Sequence, residues 1–343
     1  MSQETGMQTS AQTVPDHTAD DRILPFQVDK LDVRGRIAHM GPLLDKVLSQ
    51  HDYPVSVSRL LGEAVVLAAL VGSSLKFSGR FILQTKTDGP VSLLVADFDA
   101  PDGLRAYASY DEERLAEMEK NSDHTVVDLL GDGHLALTID QGGNSQPYQG
   151  VVELKGVSLE GAVEAYFVQS EQIPTRIRVA IAEMLTRGDD GKSKESWRAG
   201  GLFLQFLPES EDRARQRDLD PGDAPKGAQE ELPLDDDDAW SEADALITTL
   251  GDHELTDPQV GGETLLYRLF NERGVRVYDE QHLVHRCRCS EDRVRKMIET
   301  LDKVELADLV EEGLLTVSCQ FCGLDYAFKP SEYGLPDENA KTG

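Results

Sequence analysis

The chain has 343 residues and a net charge of −29, with 39% hydrophobic and 28% charged side chains. That is the composition of a soluble globular protein, of two ordinary domains or one large one with an appendage. So acidic a surface repels phosphate backbones and anionic bilayers, which argues against a general nucleic-acid binder or a membrane-surface protein.

Taken in order, residues 1–21 have neither a basic start nor an apolar run, so no secretory signal is expected. Phe26 to Ile37 has the loose apolar recurrence of a first strand, and Asp45 to His51 resembles the end of a short helix before Pro54. Ser58 is positioned to cap a helix to about Ser74, with Leu60, Ala64, Leu67 and Val71 on one face and Leu61, Val65 and Ala68 beside them. Its most apolar window, Ala64–Gly72, spans nine residues, about half of the ~20 that a bilayer-crossing helix requires. A cytoplasmic address is therefore expected, where thiols stay reduced and close cysteine pairs favour metal or redox chemistry.

Strands follow. Arg80–Thr87 and Val91–Ala96 flank Asp88-Gly89-Pro90 as a hairpin, and Gly103–Tyr110 adds a strand before a short charged helix over Asp111–Lys120. Gly133–Asp140 and Tyr148–Leu154 form a second hairpin, and Ser158 starts a helix to about Val168. Thr175–Glu183 alternates Ile177, Val179 and Ile181 inward with Arg176, Arg178 and Ala180 outward. Asp189–Lys194 is a polar turn, and Gly201–Leu207 is a last apolar strand. Hairpins with interspersed helices predict an α+β domain of mostly antiparallel strands. Residues 209–245 then carry fourteen Asp or Glu against four Lys or Arg, a composition with too few apolar residues for a core. Helical spacing resumes at Leu246, Ile247, Leu250, Leu265, Leu266, Leu269 and Phe270, and Val275, Val277 and Tyr278 alternate behind it.

No phosphate loop, nucleophile elbow or zinc-protease helix occurs. Glu160, Glu164 and Glu183 have no evident acid–base partner and read as surface carboxylates. The Gly142-Gly143 and Gly200-Gly201 pairs read as turn and backbone-approach positions. The four cysteines of the chain are different. Cys287-x-Cys289 and Cys319-x-x-Cys322 present two close pairs separated by a helical insert, the pattern of four thiolate ligands for one metal, zinc first. Gly323 permits the positive φ of a metal-binding turn. Ser290 can cap a helix beginning with Glu291 and Asp292, with Val294, Met297, Ile298 and Leu301 as its apolar face. A second helix is expected over Glu305–Glu312, and strands over Leu315–Ser318 and Asp325–Phe328. An iron–sulfur cluster and four unrelated reduced cysteines are the alternatives. His282 and His285 are left out of the ligand set. The basic patch of Arg286, Arg288, Arg293, Arg295 and Lys296 reads as a solvated face, not an RNA contact.

The pattern Cys287-x-Cys289-Ser290 … Cys319-x-Phe321-Cys322, followed by Tyr326 and Phe328, resembles the bacterial heat shock protein 33 family, the redox-regulated chaperonins. Leu60-Leu61-Gly62-Glu63, Gly89-Pro90, Tyr148-Gln149-Gly150, Ser170-Glu171-Gln172 and Ala199-Gly200-Gly201-Leu202 extend the resemblance over roughly Phe26 to Glu332. The long polar N-terminus and the acidic insertion around Arg213–Asp238 depart from it. The resemblance implies a non-enzymatic, ATP-independent holdase that is inactive while reduced and zinc-bound. Oxidation to the disulfides Cys287–Cys289 and Cys319–Cys322 would activate it to bind unfolding or oxidatively damaged proteins, with homodimerisation and without nucleic acid or membrane. Cys319–Cys322 is expected to close first, because a pair with one intervening residue is the more strained. Leu246, Ile247, Leu250, Leu265, Leu266, Leu269 and Phe270 are the expected client-binding surface.

The expected organisation is a disordered N-terminus (1–24), an α+β chaperone core (25–208), an acidic flexible linker (209–245) and a helical redox-sensitive linker (246–284). A four-cysteine zinc redox switch (285–332) and a flexible C-terminus (333–343) complete it. The rival reading is a regulator with constitutive zinc, binding protein or nucleic acid; a thiol oxidoreductase is a weaker third.

Overall fold

The computed structural model describes residues 20–336 apart from 76, 121–124, 144, 188–192 and 208–237. Most of the expected N-terminal tail, the turn at Asp189, the body of the acidic linker and the chain end lie outside the described residues. Strands β1 (Arg22–Val28) and β2 (Val33–Met40) pair antiparallel from Arg22↔His39 to Val28↔Val33. One strand was expected here. The chain instead reverses through Asp29–Leu31 and Asp32, whose φ of 49° is left-handed, a conformation short polar side chains tolerate.

Helix α1 (Pro42–Leu48) leads into α2 (Val55–Ser74). Pro54, not Ser58, precedes the first turn of α2, and Ser58 is buried inside it. This helix has 20 residues, long and apolar enough by length and composition to cross a membrane. Here its buried residues occur all round the helix, from Val57 to Gly72, because a sheet packs on each side of it.

Strands β3 (Arg80–Thr87), β4 (Val91–Asp99) and β5 (Gly103–Tyr110) form a meander. Helices α3 (Glu112–Glu119), capped by Asp111, and α4 (Val126–Leu130) follow. Strands β6 (Gly133–Asp140) and β7 (Tyr148–Leu154) complete a sheet ordered β5-β4-β3-β6-β7. Helix α5 (Leu159–Tyr166), capped by Ser158, continues as a π-helical turn over Phe167–Glu171. The long hairpin of β8 (Thr175–Arg187) and β9 (Ser193–Phe206) joins β2, giving a second sheet ordered β1-β2-β9-β8. Leu60, Leu67, Phe81, Phe98 and Phe203 are among the side chains filling the space around α2.

The outer face of the β1-β2-β9-β8 sheet carries Leu24, Phe26, Ile37, Leu202, Leu204 and Phe206. Helices α6 (Asp238–Thr248), α7 (Asp252–Thr256) and α8 (Gly262–Phe270) cover it. Helix α6 thus begins inside the span expected to be acidic linker. Ala180, expected to face outward, is 5% exposed because that face is covered. Gly200 lies within β9 and not at a turn; the Leu255 carbonyl sits where any Cβ would be.

Two-residue strands β10 (Arg276–Val277) and β11 (Gln281–His282) pair with β1, and β12 (Val284–His285) pairs parallel to β5. This segment therefore binds the edges of both sheets. The C-terminal module consists of α9 (Glu291–Ile298), α10 (Lys303–Asp308), β13 (Val310–Glu311), β14 (Leu314–Ser318) and β15 (Asp325–Phe328). Its buried core is Ile298, Leu306, Leu315 and Phe328. Helix α10 starts earlier and ends sooner than Glu305–Glu312, because the Asp302 carboxylate caps the amides of Val304 and Glu305 at 2.8 and 2.9 Å. Met297, assigned to the apolar face of α9, is 40% exposed. The architecture is α+β with mostly antiparallel sheets, as expected.

Candidate metal centre

The first cysteine pair follows β12 directly, and the second sits on the turn between β14 and β15. That turn is closed by Cys319 N–H to the Leu324 carbonyl at 3.0 Å and Gly323 N–H to the Cys319 carbonyl at 2.8 Å. Gly323 has φ +64°, which a side chain would strain. Ser290 caps α9 through the Arg293 amide at 3.3 Å, fixing the chain just past Cys289. The outcome is convergence of four sulfurs. Sγ–Sγ separations are 3.4 Å for Cys287–Cys289, 3.7 Å for Cys287–Cys319 and 3.4 Å for Cys289–Cys322. All four lie within 4.8 Å of one another and none is in a disulfide. A tetrahedron with Zn–S bonds of about 2.3 Å has edges of about 3.8 Å, so the donor set fits a single tetrahedral ion that prefers sulfur. Neither His282 nor His285 joins the group.

Crowding the thiols has an electrostatic consequence. Burial pushes the Cys322 thiol well above its ordinary range, and the hydrogen bonds it shares with the other cysteines push it further. Four thiolates are tolerable side by side only around a cation. The Tyr326 hydroxyl is hydrogen-bonded to the Cys289 sulfur, which raises the phenol to about 12, so it stays a donor to that sulfur. The arginines nearby are engaged with carboxylates: Arg286 with Asp102 at 2.8 Å, Arg288 with Asp99 at 3.6 Å, and Arg295 with Glu291 and Glu332 at 2.8 Å each.

Those first two pairs cross from the module to the β4–β5 side of the core, and so does the metal turn. Phe321, between the second pair of cysteines, packs edge-on against Tyr107 with centroids 4.8 Å apart. The Arg105 guanidinium lies 3.8 Å from the centre of the Phe321 ring, and Asp97 holds that guanidinium at 2.6 and 2.8 Å. In the sequence Phe321 stands only as part of the cysteine motif; a large aromatic between two ligands is the signal that it docks, and here it is half-buried.

Of the expected client-binding residues, Ile247, Leu250, Leu265, Leu266, Leu269 and Phe270 are buried and Leu246 half-buried, all against the outer sheet face. Phe270 stacks on Phe26 at 5.8 Å. Ion pairs tie these helices down: Arg176 Nη2 to Asp244 at 3.0 Å, Arg178 to Asp252 at 2.8 Å and Arg22 to Glu263 at 3.2 Å. These residues are not at the cysteines; β10, β11 and β12 connect the two places. Glu160 and Glu164 are not free surface carboxylates. They accept the amides of Val179 and Ile177, the latter at 2.7 Å, along the open edge of β8. Burial raises both above the usual carboxylate range.

Comparison with known proteins places this architecture in company. A family model described as Hsp33 protein matches residues 21–329. The 33 kDa chaperonin of Caulobacter vibrioides is 42% identical over 313 residues, covering 91% of this chain and 95% of that protein. The 33 kDa chaperonin of Pseudomonas fluorescens is 36% identical over 309 residues, covering 90% of each. A solved structure, the 33 kDa chaperonin (heat shock protein 33 homolog) of Thermotoga maritima, superposes with a TM-score of 0.66 at 21% identity. It covers 91% of this chain and 96% of that one, and is a likeness of fold.

Proposed function

The chain belongs to the Hsp33 family, and from that premise we propose that it is a cytoplasmic, redox-regulated holdase that binds unfolding proteins without ATP or turnover. The observation that carries this reading is where the four sulfurs sit. They terminate a segment whose short strands grip both sheets and whose helices cover an apolar sheet face. In this reading 25–208 is the chaperone core, 246–284 the releasable linker and 285–332 the switch.

Cys287, Cys289, Cys319 and Cys322 would hold the zinc ion. Bound zinc would supply folding free energy on the order of 10 kcal/mol and keep the sulfurs as thiolates, the form oxidants attack. Tyr326 steadies Cys289, and Phe321 keeps the second pair against the core. When hydrogen peroxide accepts two electrons from a cysteine pair held as thiolates, one S–S bond forms, the O–O bond breaks, and the two hydroxides released take two protons from solvent and leave as water. Cys319–Cys322 closes first and Cys287–Cys289 second. The ligand set is then gone, the module loses its support, and β10–β12 lose their anchor. Leu246, Ile247, Leu250, Leu265, Leu266, Leu269 and Phe270 separate from the sheet, leaving apolar surface for clients. A homodimer is the expected active form.

The test is suppression of aggregation of a chemically unfolded client before and after peroxide, with zinc release followed in the same sample. Suppression that appears only with oxidation and metal release is expected. Unchanged zinc with no suppression would favour a constitutive zinc-stabilised regulator instead.

A further inference from the structure

The segment that leads into the cysteines is itself a ligand of the core. Strand β12 adds to the outer edge of β5 in parallel, with Val284 opposite Gly103 and His285 opposite Leu104. The Val284 amide donates to the Asp102 carbonyl and the Arg286 amide to the Leu104 carbonyl, each at 2.9 Å. Further along, the edge is closed from within the core. The Tyr53 hydroxyl accepts the Ala108 amide at 3.0 Å and lies 3.3 Å from the Ala108 carbonyl, to which it donates. The stretch of edge that β12 occupies therefore begins at Asp102 and ends before Ala108.

Side chains of this guest alternate in a telling way. Leu283 enters the sandwich core and is 4% exposed, whereas Val284 is 40% exposed. Arg286 pairs with Asp102 at 2.8 Å and Arg288 with Asp99 at 3.6 Å. Asp99 stands opposite Gly103 in the β4–β5 register. Gly103 leaves room for the guest, since the three atoms nearest to a Cβ built there, at 2.9–3.3 Å, all belong to Arg286. Asp97 is held by Arg80 and Arg105 of the core. Among the described residues, the Asp99 and Asp102 carboxylates have only the module's two arginines. Departure of the module thus leaves three things together: open strand-edge groups, the space vacated by Leu283, and two carboxylates without counter-charge.

Resting on the redox-gated reading above, we propose that this edge is a client seat, and that β12 with Arg286 and Arg288 fills it as a stand-in while the protein is reduced. The guest that replaces it is an extended segment of an unfolding protein. It places an aliphatic residue toward the core, as Leu283 does, and Lys or Arg three and five positions later against Asp102 and Asp99. Backbone pairing with an open edge accepts any extended chain. The two carboxylates, in a chain of net charge −29, select the basic ones. The seat belongs to the β5-β4-β3-β6-β7 sheet, and the face under α6, α7 and α8 to the other. One released core thereby offers a client two separate surfaces.

Fluorescence anisotropy with a labelled peptide copying residues 280–289, carrying Cys287→Ser and Cys289→Ser, tests this on the full-length protein. The peptide is expected to bind peroxide-oxidised protein and to bind reduced protein at least about tenfold more weakly. Asp99→Asn with Asp102→Asn should weaken binding to the oxidised protein roughly tenfold or more, the effect of losing charge-assisted contacts. A second peptide with Arg286→Glu and Arg288→Glu should not bind, a readout that does not depend on how the altered protein folds. Excess of the first peptide should lower the suppression of client aggregation. Equal binding to both redox states, equal binding of the two peptides, or indifference to the paired Asp→Asn change would each overturn the proposal. So would peptide binding that weakens as protein concentration rises, which would give the seat to a second copy of the chain. Oxidised protein that suppresses aggregation yet ignores the peptide overturns the seat and leaves the holdase standing. Should peroxide release no zinc and elicit no suppression, the holdase reading fails. The seat is then judged on Cys319→Ser, Cys322→Ser protein, where a bound peptide supports it and an unbound one overturns it.

Discussion

The sandwich around α2 and the cysteine module solve the same problem with different means. The sandwich encloses an entire apolar helix between two sheets, with Phe81, Phe98 and Phe203 fully buried around it. The buried apolar cluster of the module is small, Ile298, Leu306, Leu315 and Phe328, too little to offset the ordering of its own chain. Between them, the helices over the outer sheet face belong to neither alone. They are apolar enough to pack, yet they are tied to the sandwich by salt links and to the module by two-residue strands. The contrast teaches that a fold can place its least self-sufficient part where chemistry can dismantle it without touching the core.

Four changes bear on that contrast. The largest effect is expected from metal removal, by chelation or by Cys319→Ser with Cys322→Ser. The module should lose stabilisation on the order of 10 kcal/mol, seen as lost helical signal and new proteolysis after residue 286, while the main thermal transition of the sandwich persists. Module helices that withstand chelation would break the contrast. Next, Phe81→Ala should cost the sandwich about 3–5 kcal/mol and leave zinc affinity intact, as read by denaturant melts beside competitive metal titration.

A third, pH-dependent effect belongs to the sandwich as well. Burial, and then the neighbouring Glu160, push Glu63 up to about 8 from the ordinary 4.5. The folded state thus holds this proton more tightly than the unfolded chain. Its contribution is full below about pH 4.5 and is lost as pH rises through 8, a change of a few kcal/mol at most. His39 acts with the opposite sign. Burial brings it down to about 4, so its contribution is present above pH 6.5 and is lost as pH falls. Between 6.5 and 8 the two do not overlap, and Glu63→Gln should flatten the part of the stability loss that Glu63 causes there. A slope unchanged in that variant would remove Glu63 as the cause. The smallest effect is expected from Phe321→Ala. It removes an aromatic contact and a cation–π contact, about 1–2 kcal/mol together. Peroxide-driven zinc release should be several-fold faster, with the sandwich melting where it did before.

Much of the strand order was readable because alternation and turn residues act locally. Asp88-Gly89-Pro90 marked one hairpin, and Ser158 and Ser290 capped the helices they were expected to cap. The cysteine convergence was readable for the same reason, since each pair is held by a short turn. Long-range effects were not readable. Ala180 looked solvent-facing until helices more than fifty residues later covered it. Glu160 and Glu164 looked like surface carboxylates because their partners are the edge amides of another element. The split of the first strand at Asp32 depends on a left-handed residue without glycine to announce it.

The central claim is that breaking the four-sulfur centre releases the covering helices and spares the sandwich. Hydrogen exchange read by mass spectrometry, on reduced protein and on protein oxidised with peroxide, tests it most directly. The account predicts that protection is lost across 239–270 and 284–329 while β3, β4, β9 and α2 keep theirs. Retained protection over 239–270 after both disulfides have formed, or an even loss across all elements, would contradict it.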